Sequence, residues 1–167
     1  MRSLAAAVLL SSLAADAADN GLGRTPPMGW RSWNCYHGDV SQQKIQATVD
    51  AVTDKSRGTS LLELGFADVG VDDGWQACGT GRSLDNHSSF HAPDGTPLVN
   101  KTKFPDVKAM VAYGHKKGVT MGWYDNNCMC MDEYTKRNDP IWEAASNGGD
   151  VKFLLENDID AVKIDNC

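Results

Sequence analysis

The chain has 167 residues, of which 41% are hydrophobic and 23% are charged, as in an ordinary globular protein. Its formal net charge is −6 and it contains no run of basic residues, so a nucleic acid partner is not expected. Beyond the N-terminal stretch, no segment is apolar over the roughly 20 residues that a membrane-spanning helix needs.

The first 18 residues have the pattern of a secretory signal peptide. Arg2 supplies a short positive region, Leu4–Leu13 is apolar, and Ala15-Asp16-Ala17 resembles a cleavage site. The apolar stretch is too short for a membrane anchor. We therefore predict that residues 19–167 enter the secretory pathway and reside outside the cell or in a lysosome or vacuole.

The remaining chain alternates short strands with helices. We predict four strands: near Met28–Trp30, over Phe66–Val71, over Val119–Tyr124, and a last, buried strand that ends at Asp165. The helices between them are predicted over Val40–Asp54, capped by Asp39 or Ser41, and over Asp106–Lys117, capped by Asp106. Helical segments are also predicted within Pro140–Asn157, with an interruption at residues 147–149. Long polar loops cover residues 76–105 and 125–138. This order predicts an α/β fold with parallel strands, either half of a (β/α)8 barrel or a small doubly wound sheet.

Lys163 and Asp165 stand at the end of the last predicted strand. Because side chains alternate along a strand, both point to the same face. An ammonium group beside a carboxylate lowers the pKa of that carboxylate and keeps it ionised, as a nucleophile in sugar chemistry requires. The alternative is a purely structural ion pair.

Polar and aromatic residues also follow the other predicted strands, at the ends where α/β folds place ligands. They are Trp33, Asp72, Asp73 and Tyr124. Asp72-Asp73-Gly74 alone also fits a solvated turn, and a metal site there would need further oxygen ligands that the sequence does not supply. Trp33 and Tyr124 alone also fit core packing.

Four clusters in chain order carry a specific resemblance: Pro27-Met-Gly-Trp-Arg-Ser-Trp-Asn34, Val71-Asp-Asp-Gly-Trp75, Gly122-Trp-Tyr124 and Lys163-Ile-Asp-Asn-Cys167. Together they resemble the α-galactosidases of the melibiase family, glycoside hydrolase family 27, from about Thr25 to Cys167. The resemblance implies a (β/α)8 TIM barrel, of which this chain covers roughly the first four βα units as the N-terminal part of a longer catalytic domain.

The resemblance implies a retaining α-galactosidase, which removes terminal α-D-galactosyl residues from oligosaccharides and glycoconjugates through a covalent glycosyl-enzyme. By this resemblance Asp165 is the nucleophile and Lys163 hydrogen-bonds the sugar. Asp72 and Asp73 accept hydrogen bonds from its 4- and 6-hydroxyls, and Trp33 and Tyr124 supply an aromatic wall and a hydroxyl donor. In the family the second carboxylic acid, the acid/base, comes from a later strand, so the isolated 167-residue chain is expected to be inactive. No cofactor and no metal are implied.

The expected partner is therefore an α-galactoside carbohydrate, with a homodimer of the full-length protein as one option. Two alternatives remain at this point. One is an α-N-acetylgalactosaminidase, and the other is an inactive truncated or sugar-binding homologue.

Secretion permits disulfides and glycosylation. Asn86 and Asn100 begin two acceptor tripeptides. The chain has five cysteines, an odd count that implies a free thiol or a partner elsewhere: Cys35, Cys78, Cys128, Cys130 and Cys167. The resemblance implies a bridge from Cys167 to Cys130, with Cys128 as the alternative, and leaves Cys35 and Cys78 for a second bridge. Arg31 departs from the family, where many members have Asn or Asp.

Overall fold

The computed structural model describes residues 21, 24–82, 88–125, 128–130 and 140–165. Their elements, in chain order, are β1 (Gly29–Arg31), α1 (Trp33–Tyr36), α2 (Gln42–Thr53), β2 (Asp68–Gly70), β3 (Gly81–Arg82), β4 (Ser88–Ser89), α3 (Val107–Lys116), β5 (Thr120–Asp125), α4 (Pro140–Glu156) and β6 (Ala161–Ile164). None of the helices in these residues is long and apolar enough to cross a membrane.

Four strands form one sheet in the order β1-β2-β5-β6, and every neighbouring pair is parallel. Helices α2 and α3 lie in the connections between these strands, which confirms the predicted α/β fold with helical crossovers. Because all four strands run in one direction, their C-terminal ends meet at one edge of the sheet.

The core lies between one face of the sheet and the helices. Val69 and Met121 are paired in register and point to this face, where α2 contributes Ile45 and Val49 and α3 contributes Met110, all of them buried. Apolar residues at helical spacing therefore bury one side of each helix, as the sequence pattern predicted.

The predicted helix caps are also present. Ser41 precedes α2 and its hydroxyl oxygen accepts a hydrogen bond from the Lys44 amide at 3.4 Å. Asp106 precedes α3 and its Oδ1 accepts from the Ala109 amide at 2.9 Å. Each cap satisfies an amide that has no partner within the first turn of a helix.

Two predictions about the connecting segments were wrong. Residues 76–105 are not a plain polar loop: they contain the antiparallel pair β3 and β4, and two of their residues, Phe90 and Phe104, belong to the buried core. Helix α4 runs without interruption through Gly148 and Gly149. The tertiary contacts of both segments, which local propensity does not encode, decided these outcomes.

Strand β6 was predicted to be buried, but its side chains are largely exposed. Ile164 is 67% and Val162 38% exposed, because β6 is an edge strand of the sheet in the described residues. Exposed apolar residues continue onto α4, where Ile141 and Leu155 are 71% and 73% exposed. A surface of this kind is normally covered in a folded domain.

Candidate active site

The second face of the sheet carries small and charged residues in rows. Register pairs Arg31 with Gly70, Gly70 with Gly122, and Gly122 with Ala161. Two residues further along each strand, the next row contains Asp72, Tyr124 and Lys163, and Asp165 follows beyond Lys163. Side chains alternate along each strand, so this row projects from the same face at the C-terminal edge.

Lys163 joins the carboxylates of this row. Its Nζ lies 3.0 Å from Asp72 Oδ2 and 3.2 Å from Asp165 Oδ2, and 5.1 Å from the centre of the Tyr124 ring. Burial lowers the pKa of Lys163, but its hydrogen bonds to Asp72 and Asp165 outweigh that effect and raise the pKa overall. The ammonium group therefore stays charged and is held between the two carboxylates.

Tyr124 is buried at the centre of the same group. Its hydroxyl donates to Asp165 Oδ2 at 3.4 Å and lies 2.9 Å from Cys128 Sγ. Burial, followed by the negative charges of Asp73, Asp165 and Asp72, raises the pKa of Tyr124 well above its usual value. The phenol thus remains protonated and serves as a hydrogen-bond donor.

Asp72 and Asp73 are only 2% and 1% exposed, so they are not a solvated turn. The Asp72 amide donates to Ser32 Oγ at 2.9 Å, and Asp72 Oδ1 accepts from the Asp73 amide at 2.9 Å. Asp73 Oδ2 accepts from the Met129 amide at 2.8 Å, outside the Lys163 cluster. Both carboxylates are fixed by backbone donors, as buried charges require.

Trp33 lies in the short helix α1 that follows β1, at the same edge of the sheet, where its ring packs edge-on against His37 with centroids 5.2 Å apart. The neighbouring Ser32 is fully buried and connects the ends of β1 and β2: its amide donates to Gly70 O, and its hydroxyl oxygen accepts from Asp72. Sequence reasoning missed Ser32, although it stands inside the first quoted cluster.

Arg31 fills the row beneath the carboxylates. Its Nη1 donates to the Trp123 carbonyl at 3.0 Å. A Cβ atom added to Gly70 or to Gly122 would lie 2.5 Å or 2.9 Å from the nearest guanidinium nitrogen, so the side chain lies directly on the backbone of β2 and β5. The departure at position 31 is thus accommodated by two glycines on the neighbouring strands.

Known proteins resemble this chain in sequence and in fold. No protein-family model matches the chain. The α-galactosidase of Oryza sativa subsp. japonica is 34% identical over 152 residues, which cover 90% of this chain and 32% of that protein. The solved structure of α-galactosidase I from Mortierella vinacea is 31% identical, with a TM-score of 0.65, over 90% of this chain and 33% of that chain. That of the α-galactosidase from Saccharomyces cerevisiae is 27% identical, with a TM-score of 0.66, over 89% and 28%.

The chain is related to the α-galactosidases. This confirms the resemblance predicted from the four sequence clusters. The chain spans about a third of the length of the curated relatives it matches, at 32% for each of two plant α-galactosidases.

The disulfide predictions for this α-galactosidase relative need correction. Cys78 is bonded to Cys130 with Cα atoms 5.5 Å apart, and Cys35 is exposed and free, so the predicted Cys35–Cys78 bridge is wrong. The predicted Cys130–Cys167 bridge is also wrong, because Cys130 is bonded to Cys78. Cys128 is also disulfide-bonded. Pairing depends on which loops meet in space, and the sequence alone does not show this.

Some predictions fall outside the described residues: the signal peptide over residues 1–18, Asn86 and Cys167. Asn100 is described and half-buried, and its Oδ1 accepts from the Thr102 amide at 3.1 Å. Its glycosylation stays a prediction.

A second acidic group lies on the opposite face of β5. Asp125 follows Tyr124 and therefore points away from it. The His91 ring is 1% exposed, and its Nε2 lies 2.9 Å from Asp150 Oδ1 on α4. Burial, reinforced by the charge of Asp150 and opposed by that of His91, raises the pKa of Asp125 to about 6.

The Asp125→Asn variant is expected to be more stable than the parent at pH 7. The folded protein binds the Asp125 proton more tightly than the unfolded chain, whose carboxyl has a pKa of about 3.9. This contribution to stability is fully present below about pH 4 and is lost as the pH rises through about 6. We expect the variant to gain about 2 kcal/mol at pH 7 and little at pH 4. Urea unfolding of the variant and the parent from pH 4 to 8 measures this difference in the free energy of unfolding. Glu143→Gln, at an exposed site on α4, is the control, and an equal gain at both pH values would contradict the assignment.

Proposed function

We propose that this chain is the N-terminal part of the catalytic domain of a secreted, retaining α-galactosidase. The observation that carries the proposal is the Lys163 ammonium group held between Asp72 and Asp165, beside the Tyr124 hydroxyl, at the C-terminal edge of a parallel sheet. Carboxylates held by an ammonium group at this edge fit glycoside hydrolysis, and the sequence relationship to α-galactosidases favours galactosides over other sugars.

Asp165 is the proposed nucleophile. Its carboxylate attacks the anomeric carbon while the bond from that carbon to the leaving oxygen breaks, and a covalent glycosyl-enzyme forms. A carboxylic acid donates a proton to the leaving oxygen. It then takes a proton from the water that releases galactose with its α configuration restored. We propose that this acid/base lies outside the present chain, in a later part of the domain.

Lys163, Tyr124, Asp72 and Asp73 are proposed to orient the sugar. Lys163 and Tyr124 supply hydrogen-bond donors: the carboxylates of Asp72 and Asp165 raise the pKa of Lys163, and burial together with the nearby carboxylates raises that of Tyr124. The two aspartates supply acceptors for the 4- and 6-hydroxyls, and Trp33 supplies an apolar surface for the ring. A buried acceptor left without its hydroxyl is costly, so these contacts select the axial 4-hydroxyl of galactose.

We further propose that the sheet is half of a (β/α)8 barrel. Its polar face, with Gly70, Gly122 and Arg31, suits the tightly packed interior of a barrel. The exposed apolar residues of β6 and α4 suit further βα units that would cover them. The share of about a third of each relative's length agrees with this.

The test is hydrolysis of p-nitrophenyl glycosides by the full secreted protein. We expect kcat/KM for the α-D-galactoside to exceed that for the α-D-glucoside by about 10²-fold or more, because the 4-epimer leaves buried acceptors unpaired. Proton NMR should show α-galactose as the first product. Preferred cleavage of the α-N-acetylgalactosaminide would redirect the assignment to that activity. Binding of galactose by a folded protein without any hydrolysis would instead favour a sugar-binding role.

A further inference from the structure

The carboxylate of Asp73 is held by a segment that is distant in sequence. Its Oδ1 accepts a hydrogen bond from the amide of the next residue, Gly74, at 2.8 Å. Because the two residues are adjacent, this bond does not fix the carboxylate relative to other parts of the fold. Its Oδ2 accepts from the Met129 amide at 2.8 Å, 56 residues away along the chain. The second bond therefore fixes the orientation of Asp73 relative to β5 and the loop that follows it.

Covalent bonds hold Met129 on both sides. The next residue, Cys130, is bonded to Cys78, which follows Asp73 by five residues. The preceding residue, Cys128, is also disulfide-bonded, and its Sγ lies 2.9 Å from the Tyr124 hydroxyl. The disulfide and the Asp73–Met129 hydrogen bond thus close one small ring through residues 73–78 and 129–130.

The Met129 side chain adds a second attachment. A Cβ atom at Gly38 would lie 2.5 Å from Met129 Cε, so this methyl group rests on the Gly38 backbone. The backbone amide of Met129 therefore points at Asp73 because of covalent and packing restraints on the whole segment.

We propose that the Cys78–Cys130 disulfide positions Asp73 for substrate through the backbone amide of Met129. The inference rests on the proposed function, in which Asp73 accepts a hydrogen bond from the sugar. A carboxylate oxygen has more than one acceptor position, so Oδ2 can bind the Met129 amide and a hydroxyl together. Without the amide, the buried carboxylate rotates or draws in water, and it must be reoriented each time the sugar binds.

The inference makes the disulfide a determinant of sugar binding. A group that is restrained before the ligand arrives loses less conformational entropy on binding, so removal of the restraint weakens sugar binding. The rate of the chemical step should change little, because the reacting groups are not altered.

The test compares the Cys78→Ala/Cys130→Ala variant of the full secreted protein with the parent and with Cys35→Ala, which removes the free, exposed cysteine. For p-nitrophenyl α-D-galactoside we expect the double variant to raise KM about tenfold while kcat changes by less than about threefold. Cys35→Ala should leave both unchanged. Assays are run well below the unfolding temperature of each variant.

The same substitutions in an Asp73→Asn background separate positioning from general stability. If the disulfide acts on Asp73, its removal should raise KM no further there, because coupled residues are not additive. An equal rise in both backgrounds, or a lower unfolding temperature with unchanged KM, overturns the inference while the proposed function stands. A folded parent protein that hydrolyses no α-galactoside overturns both.

A backbone variant keeps the test informative if the double variant does not fold. Met129→Pro removes the amide donor and retains both cysteines. We expect it to raise KM about tenfold, and Met129→Leu, which keeps the amide, to raise it clearly less. Equal effects of proline and leucine would show that the side chain, and not the amide, matters, which contradicts the inference.

Discussion

Replacing Asp165 by asparagine in the full secreted protein is expected to lower kcat/KM for p-nitrophenyl α-D-galactoside by about 10³-fold or more. The amide has nearly the same shape and keeps a hydrogen-bonding oxygen near Lys163, but it cannot form the glycosyl ester. Losses of this size are typical when the attacking group of a covalent mechanism is removed. Initial rates at several substrate concentrations measure the effect.

Asp158→Asn is the matched control for this substitution. Asp158 precedes β6, is exposed, and has a positive φ of 55°, which asparagine also tolerates. We expect its activity to equal that of the parent.

Azide gives a positive test of the nucleophile. With the Asp165→Gly variant it should restore cleavage and yield a β-configured galactosyl azide, since the anion attacks from the face where the carboxylate is missing. Hydrolysis by Asp165→Asn at the rate of the parent would contradict the assignment of Asp165 as the nucleophile.

Gly149→Ala is expected to destabilise the fold by about 1–3 kcal/mol, although alanine is the better helix former. Gly149 lies within α4, where an added Cβ would overlap the carbonyl group of Gly95. Gly95 has a φ of +84° and is buried against Ala145, so its backbone cannot easily withdraw. The substitution would push α4 away from the loop that carries His91, the partner of Asp150.

Gly148 offers the control one residue earlier. A Cβ added there has nothing within 4 Å, so Gly148→Ala should stabilise the protein by about 0.5–1 kcal/mol through helix propensity alone. Chemical unfolding of the two variants and the parent gives both values. Stabilisation by both substitutions would show that α4 does not pack on Gly95 in solution.

Periodicity and local chemistry predicted the elements that depend on neighbours in sequence. Helix α2 follows from apolar spacing with Ser41 as its cap, and α3 follows likewise from Asp106. Alternation along β6 placed Lys163 and Asp165 on one face, and the structure brings their charged atoms to 3.2 Å. These features arise from backbone geometry over a few residues, which is why the sequence predicts them.

The sequence by itself thus determined the α/β order, the helix caps, the polar strand ends and the relationship to α-galactosidases. Only the tertiary structure decided that Lys163 also binds Asp72 at 3.0 Å, that Cys78 pairs with Cys130, and that the Met129 amide holds Asp73. It also decided that Gly148 and Gly149 continue a helix. Each of these joins segments far apart in the chain, and their proximity depends on how the strands and loops pack, for which local residue patterns carry no signal.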